Sequence, residues 1–94
     1  MGDLKNLPCI IQPTSNPSIL IEAIAKYLCE PDHPDKCWYG WIRIDDESAQ
    51  LLSQFATLEV RLGDGRCGIA CIEWVRYLTE GESEMLCFGV TELT

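Results

Sequence analysis

Three short stretches of this sequence have the residue types and spacing that chemistry requires. The first is Gly63-Asp64-Gly65-Arg66-Cys67-Gly68, a literal G-x-G-x-x-G behind the strand-like run from Thr57 to Leu62. Such glycines let a backbone close on a pyrophosphate, provided that a helix opens at the third of them. The second is Cys29-x3-His33-x3-Cys37, two thiols and an imidazole in a loop that also offers Glu30, Asp32 and Asp35. Zinc takes four well-placed ligands, so Cys29, His33 and Cys37 would need Cys9 or Cys87 brought to them in space. The same loop pairs a thiol with a base, as nucleophilic catalysis does, but no glycine turn suited to an oxyanion adjoins Cys29 or Cys37. The third is Cys67-x3-Cys71. Its thiols would stand one turn apart on a helix but ~13 Å apart on a strand, too far for one ion.

The first and third stretches both depend on what the chain does around Asp64-Gly65, the strongest short turn signal for paired strands. A hairpin turning there sets Leu62 opposite Cys67, Val60 opposite Ile69 and Leu58 opposite Cys71, all on one face. Thr57, Glu59, Arg61 and Arg66 fall on the other, so the pleat sorts apolar from polar. A helix starting near Gly68 leaves that sorting unexplained. The glycines are therefore expected to turn a corner, with no nucleotide or other cofactor bound and no metal between Cys67 and Cys71.

The remaining elements follow from local signals. Leu7–Pro13 reads as an edge strand between prolines. Asn16 and Pro17 read as the cap and first residue of a helix over 17–30, with Glu22 and Lys26 as an i,i+4 pair. Trp38–Ile44 alternates as a strand, with Trp38, Gly40, Ile42 and Ile44 on one face and Tyr39, Trp41 and Arg43 on the other. Asp45 is the cap of a short helix that buries Leu51, Leu52 and Phe55. Continuing the second hairpin strand would carry Glu73 inward, which predicts a bulge near Ile72–Trp74. Thr79–Ser83 is a turn, and Met85–Leu93 a third strand with Leu86, Phe88 and Val90 inside. The expected class is α+β: a small antiparallel sheet, made of the C-terminal three-stranded meander plus strand 38–44, with two short helices on one face. The alternative is a small SH3-like or OB-like closed barrel, favoured if residues 19–28 form a strand.

Composition bounds the function. Residues 1–94 make one domain by length. Fifteen acids against seven bases give a net charge of −8, which repels nucleic-acid phosphates and anionic membranes. No run approaches the ~20 apolar residues of a membrane span. With no export signal read, a cytoplasmic location and six free thiols are expected. No catalytic constellation emerges, so the expectation is a non-enzymatic protein-interaction module, inhibitor or regulator. Its binding residues are Tyr39, Trp41, Arg43, Arg61, Trp74 and Arg76, because Tyr, Trp and Arg dominate interaction hot spots. The partner is another protein or a second copy of the chain. The alternative is a metal-binding or small-ligand-binding domain using Cys29, His33 and Cys37.

Overall fold

The computed structural model describes residues 2–29 and 36–94, which form six strands and one helix. In chain order these are β1 (Gly2–Pro13), β2 (Ile21–Cys29), β3 (Tyr39–Asp45), α1 (Asp46–Leu52), β4 (Leu58–Leu62), β5 (Cys67–Tyr77) and β6 (Glu82–Gly89). The strands close into a barrel in the order β1-β2-β3-β6-β5-β4, every neighbouring pair antiparallel. Two three-stranded meanders thus join along β3·β6 and β1·β4, and no strand is left as a sheet edge over its full length.

This corrects the α+β expectation in favour of the barrel alternative. The segment expected as a helix is β2, hydrogen-bonded to β1 on one side and β3 on the other. Ala23 and Ala25 are good helix formers, yet pairing on both flanks overrides that weak preference. Asn16 and Pro17 mark a turn instead: Asn16 N–H donates to Pro13 O, and Ile19 N–H to Asn16 O. Leu7–Pro13 belongs to a strand paired on both sides, with β2 and β4, and is not an edge.

Strand β3 sorts its faces as its alternation requires, with Gly40, Ile42 and Ile44 buried inside. Asp45 caps α1, its carboxylate accepting from Ser48 N–H at 3.0 Å. Because β3 and β4 lie on opposite sides of the ring, the connection between them must cross one end of the barrel. Helix α1 does this, sealing that end with the fully buried Ala49 and Leu52. The other end is filled by Trp38, whose Nε1 donates to Thr91 O at 2.8 Å.

The hairpin β4–β5 forms, but one residue out of the expected register. Gly65 N–H donates to Leu62 O at 3.0 Å and Leu62 N–H to Arg66 O at 2.8 Å, so the loop has three residues, Gly63 to Gly65. Gly65 takes φ +97 while Asp64 stays at negative φ, the arrangement of a turn followed by a glycine bulge. A one-residue slip exchanges the faces of a strand. Val60 therefore meets Gly68 and Leu58 meets Ala70 inside, while Cys67, Ile69 and Cys71 are only half-buried. Gly68 leaves room for Trp38, whose Nε1 lies 3.4 Å from where a Cβ at that position would sit. The bulge between Ile72 and Trp74 is present.

Strand β6 also differs in phase. Ser83, Met85, Cys87 and Gly89 point inward in register with β3, whereas Phe88 is half-buried and Val90 exposed. Leu86 is buried, but on the outer side.

Candidate aromatic binding wall

The outside of β2, β3, β6 and β5 carries three in-register rows of side chains. The central row is Tyr27, Trp41, Leu86 and Trp74. Toward the Trp38 end lies Cys29, Tyr39, Phe88 and Cys71, and toward the α1 end Arg43, Glu84 and Arg76. Leu86 is only 7% exposed although it points away from the interior. Trp41 and Trp74 stand directly opposite it on the two flanking strands. Trp41 packs edge-on against Tyr27, with ring centroids 5.3 Å apart, and lies 6.3 Å from the Tyr39 ring. A second apolar cluster is thereby assembled outside the barrel, separate from the core.

Ion pairs surround this cluster. Lys36 Nζ contacts Glu73 at 2.8 Å, donates to Tyr39 Oη at 3.1 Å and stands 4.8 Å from the Phe88 ring centroid. The Glu73 carboxylate, then the Tyr39 hydroxyl, hold the Lys36 ammonium above its ordinary pKa. Arg76 binds Glu84 at 2.6 Å and lies 5.6 Å from the Trp74 ring centroid. Arg43 reaches Glu82 at 3.5 Å. The wall is thus an apolar centre with a charged but locally balanced rim, on a chain of net charge −8.

Five of the six residues named from sequence as a binding surface fall on this wall: Tyr39, Trp41, Arg43, Trp74 and Arg76. Arg61 does not. It lies on β4 across the barrel, paired to Glu59 at 2.8 Å and donating to Gln12 at 3.2 Å. There it lines a shallow groove of about 510 Å³ beside Pro8, Ile10, Glu22 and Ile24. Sequence reasoning missed Tyr27, Leu86 and Phe88. Tyr27 was hidden by reading β2 as a helix, and the other two by assigning the wrong phase to β6. The available signal was the run Met85-Leu86-Cys87-Phe88, apolar on both faces, as a strand covered on both sides requires.

Of the loop residues considered for metal binding, His33 lies outside the described residues. Cys29 is half-buried opposite Tyr39, and Cys37 is exposed two residues before it, so the barrel brings the two ends of that loop together. Among the described residues no group of three or more His, Cys, Asp or Glu side chains is placed to hold a metal. All six cysteines are unpaired. Burial pushes the Cys9 thiol up to about 11. Burial, with smaller contributions from Cys9 and Cys71, pushes Cys87 to about 12. The G-x-G-x-x-G segment leads into β5 rather than a helix, so it offers no helix N-terminus to a phosphate. Among the described residues no helix is long and apolar enough to cross a membrane.

The fold and wall define a small closed antiparallel barrel with an aromatic outer surface. Comparison with known proteins gave no match to a family model, a curated protein or a solved structure.

Proposed function

We propose that this protein is a non-enzymatic binding module, an inhibitor or regulator that docks another protein on the wall formed by β2, β3, β6 and β5. The observation that carries the reading is the outward-facing yet buried Leu86, flanked in register by Trp41 and Trp74, with Trp74 itself 38% exposed. Ordering an apolar patch in advance lowers the entropy cost of association. Aromatic anchors inside a polar rim are the anatomy of an interaction hot spot. The partner is a different protein of net positive charge: the −8 of this chain attracts such a surface and opposes a second copy.

The test is affinity capture from the source organism with the intact chain as bait. Replacing Trp74 by Ala is expected to abolish retention of the captured protein, costing about 2 kcal/mol or more. Arg61→Ala, on the opposite wall, is expected to leave it unchanged. Capture indifferent to Trp74 and Trp41 overturns the reading, and dimers at micromolar concentration in sedimentation would replace the basic partner with a second copy. A second reading, a metal or small-ligand site using Cys29, His33 and Cys37, draws on the loop ends that the β2–β3 pairing brings together. Stoichiometric zinc that is lost on Cys29→Ser would select it.

A further inference from the structure

The four arginines of the chain are not equally satisfied. Arg61 and Arg66 each hold a carboxylate at 2.8 Å, and Arg76 holds one at 2.6 Å. Arg43 reaches Glu82 only at 3.5 Å, and its Nε is enclosed with no hydrogen-bond partner. The reason is the register. Glu84 stands directly between Arg43 on β3 and Arg76 on β5, and Arg76 has taken it. Glu82, the remaining acid, is a side chain 58% in solvent at the end of its strand. One guanidinium on this wall is therefore left with donors to spare.

We propose that Arg43 is a carboxylate receptor, and that the partner docked on Trp41 and Trp74 presents an acidic side chain to it. The inference rests on the reading of this wall as a protein-binding surface and specifies what the partner must carry. Arg43 lies two residues from Trp41 on the same face and in register with Ile24, which is also solvent-exposed. A carboxylate on an apolar or aromatic stem that packs against Trp41 reaches the guanidinium without leaving the wall. Turning toward that anion gives Nε an acceptor it now lacks, and a guanidinium can grip a carboxylate with two parallel bonds. Specificity follows from the same geometry. The field of the whole chain draws in basic proteins of many kinds, but Arg43, whose one acid stands at 3.5 Å, opposes a basic side chain placed against it. A partner with one acid in register meets both conditions, and others are rejected at close range.

The measurement is side-chain NMR of the intact, nitrogen-15-labelled chain titrated with 4-phenylbutyrate and, separately, with its neutral amide. The acid is expected to shift the Arg43 Nε–H and Trp41 Nε1–H resonances together and to bind about fivefold or more tightly than the amide. In Arg43→Gln that preference should vanish while Trp41 still responds to both probes. The acid–amide comparison on the unsubstituted chain needs no variant to fold. Equal binding of the two probes with Trp41 still shifting overturns the role of Arg43 and leaves the wall standing. A preference that survives Arg43→Gln overturns it as well, as does failure of either probe to move the Arg43 resonance. Loss of the captured protein on Trp74→Ala reports on the wall independently.

Discussion

Trp38 and Trp74 are the same residue type on the same barrel, and the structure treats them in opposite ways. Trp38 is 4% exposed, its N–H is bonded to Thr91 O, and the backbone is cut away around its ring. A Cβ at Gly40 would lie 3.2 Å from it, and one at Gly89 would fall on the indole itself. Trp74 is 38% exposed, with Arg76 near its ring and nothing shaped to enclose it. Three strands, β3, β5 and β6, each place a glycine against Trp38, whereas more than a third of Trp74 meets solvent. The contrast separates a ring that plugs the barrel from a ring that is presented. Aromatic content alone does not distinguish them.

The sharpest way to break this comparison is Gly89→Ala. If the pocket around Trp38 is as tight as the geometry indicates, the added methyl must displace the indole. The expected loss is about 3 kcal/mol or more, or failure to fold, comparable to truncating the ring itself. A chemical-denaturation midpoint close to wild type would show that the plug is loosely seated and that the two tryptophans differ less than argued.

Gly65 supplies the contrasting glycine. Nothing lies within 4 Å of where its Cβ would be, and its φ is +97. Gly65→Val should therefore cost about 1–3 kcal/mol through backbone strain alone, with no steric contribution. Gly65→Asn, which tolerates left-handed backbone better, should recover part of that loss. Equal stability of the valine and asparagine variants would contradict a conformational origin.

The opposite end of the barrel depends on α1, and α1 on its cap. The Ser48 hydroxyl, then the Ser48 N–H, hold the Asp45 carboxyl below the ordinary 3.8. A group whose folded-state pKa is depressed stabilises fully above its unfolded value and loses that contribution as pH falls through the folded one. Asp45→Ala is expected to cost about 1 kcal/mol at neutral pH. The difference from wild type should shrink once pH drops below 3.8. Thermal melts at several pH values check this, and a deficit that persists unchanged into acid would assign the loss to something other than the ionised cap.

The smallest effect is expected where the comparison matters most for function. Trp74→Ala should change folding stability by less than about 1 kcal/mol, because the ring is 38% exposed and lies outside the core cluster. Together with lost partner capture, that outcome marks the ring as presented. Unfolding of the variant would place Trp74 in the structural class with Trp38.

How much of this was legible beforehand differs from element to element. The Asp45 cap, the facing of β3, the turn at Asp64-Gly65 and the bulge before Trp74 all depend on a few neighbouring residues. Local sterics and short hydrogen bonds set them, and the same residue types give the same result in most contexts. The wall was legible in part for the same reason: alternation in β3 alone put Tyr39, Trp41 and Arg43 together on one side. Arg61 joins them in an open sheet because it lies on the outer face of its hairpin, but the ring order sends it across the barrel.

Local sequence was enough for the Asp45 cap, the chain reversal at Asp64-Gly65, most of the strand read over residues 38–44 and the acidic charge. Tertiary structure decided that residues 21–29 extend rather than coil, because β1 and β3 satisfy their backbone from both sides. It also decided the phases of β5 and β6. A two-residue period reveals an inner face only when the outer face is polar, and here the outer face is apolar as well. Leu86 and Phe88 cover the wall while Met85 and Cys87 fill the core, so either phase would bury hydrophobic side chains. The volume of Trp38 weighs on that choice, because a Cβ at Gly89 would fall on its indole and one at Gly68 would lie 3.4 Å from its Nε1.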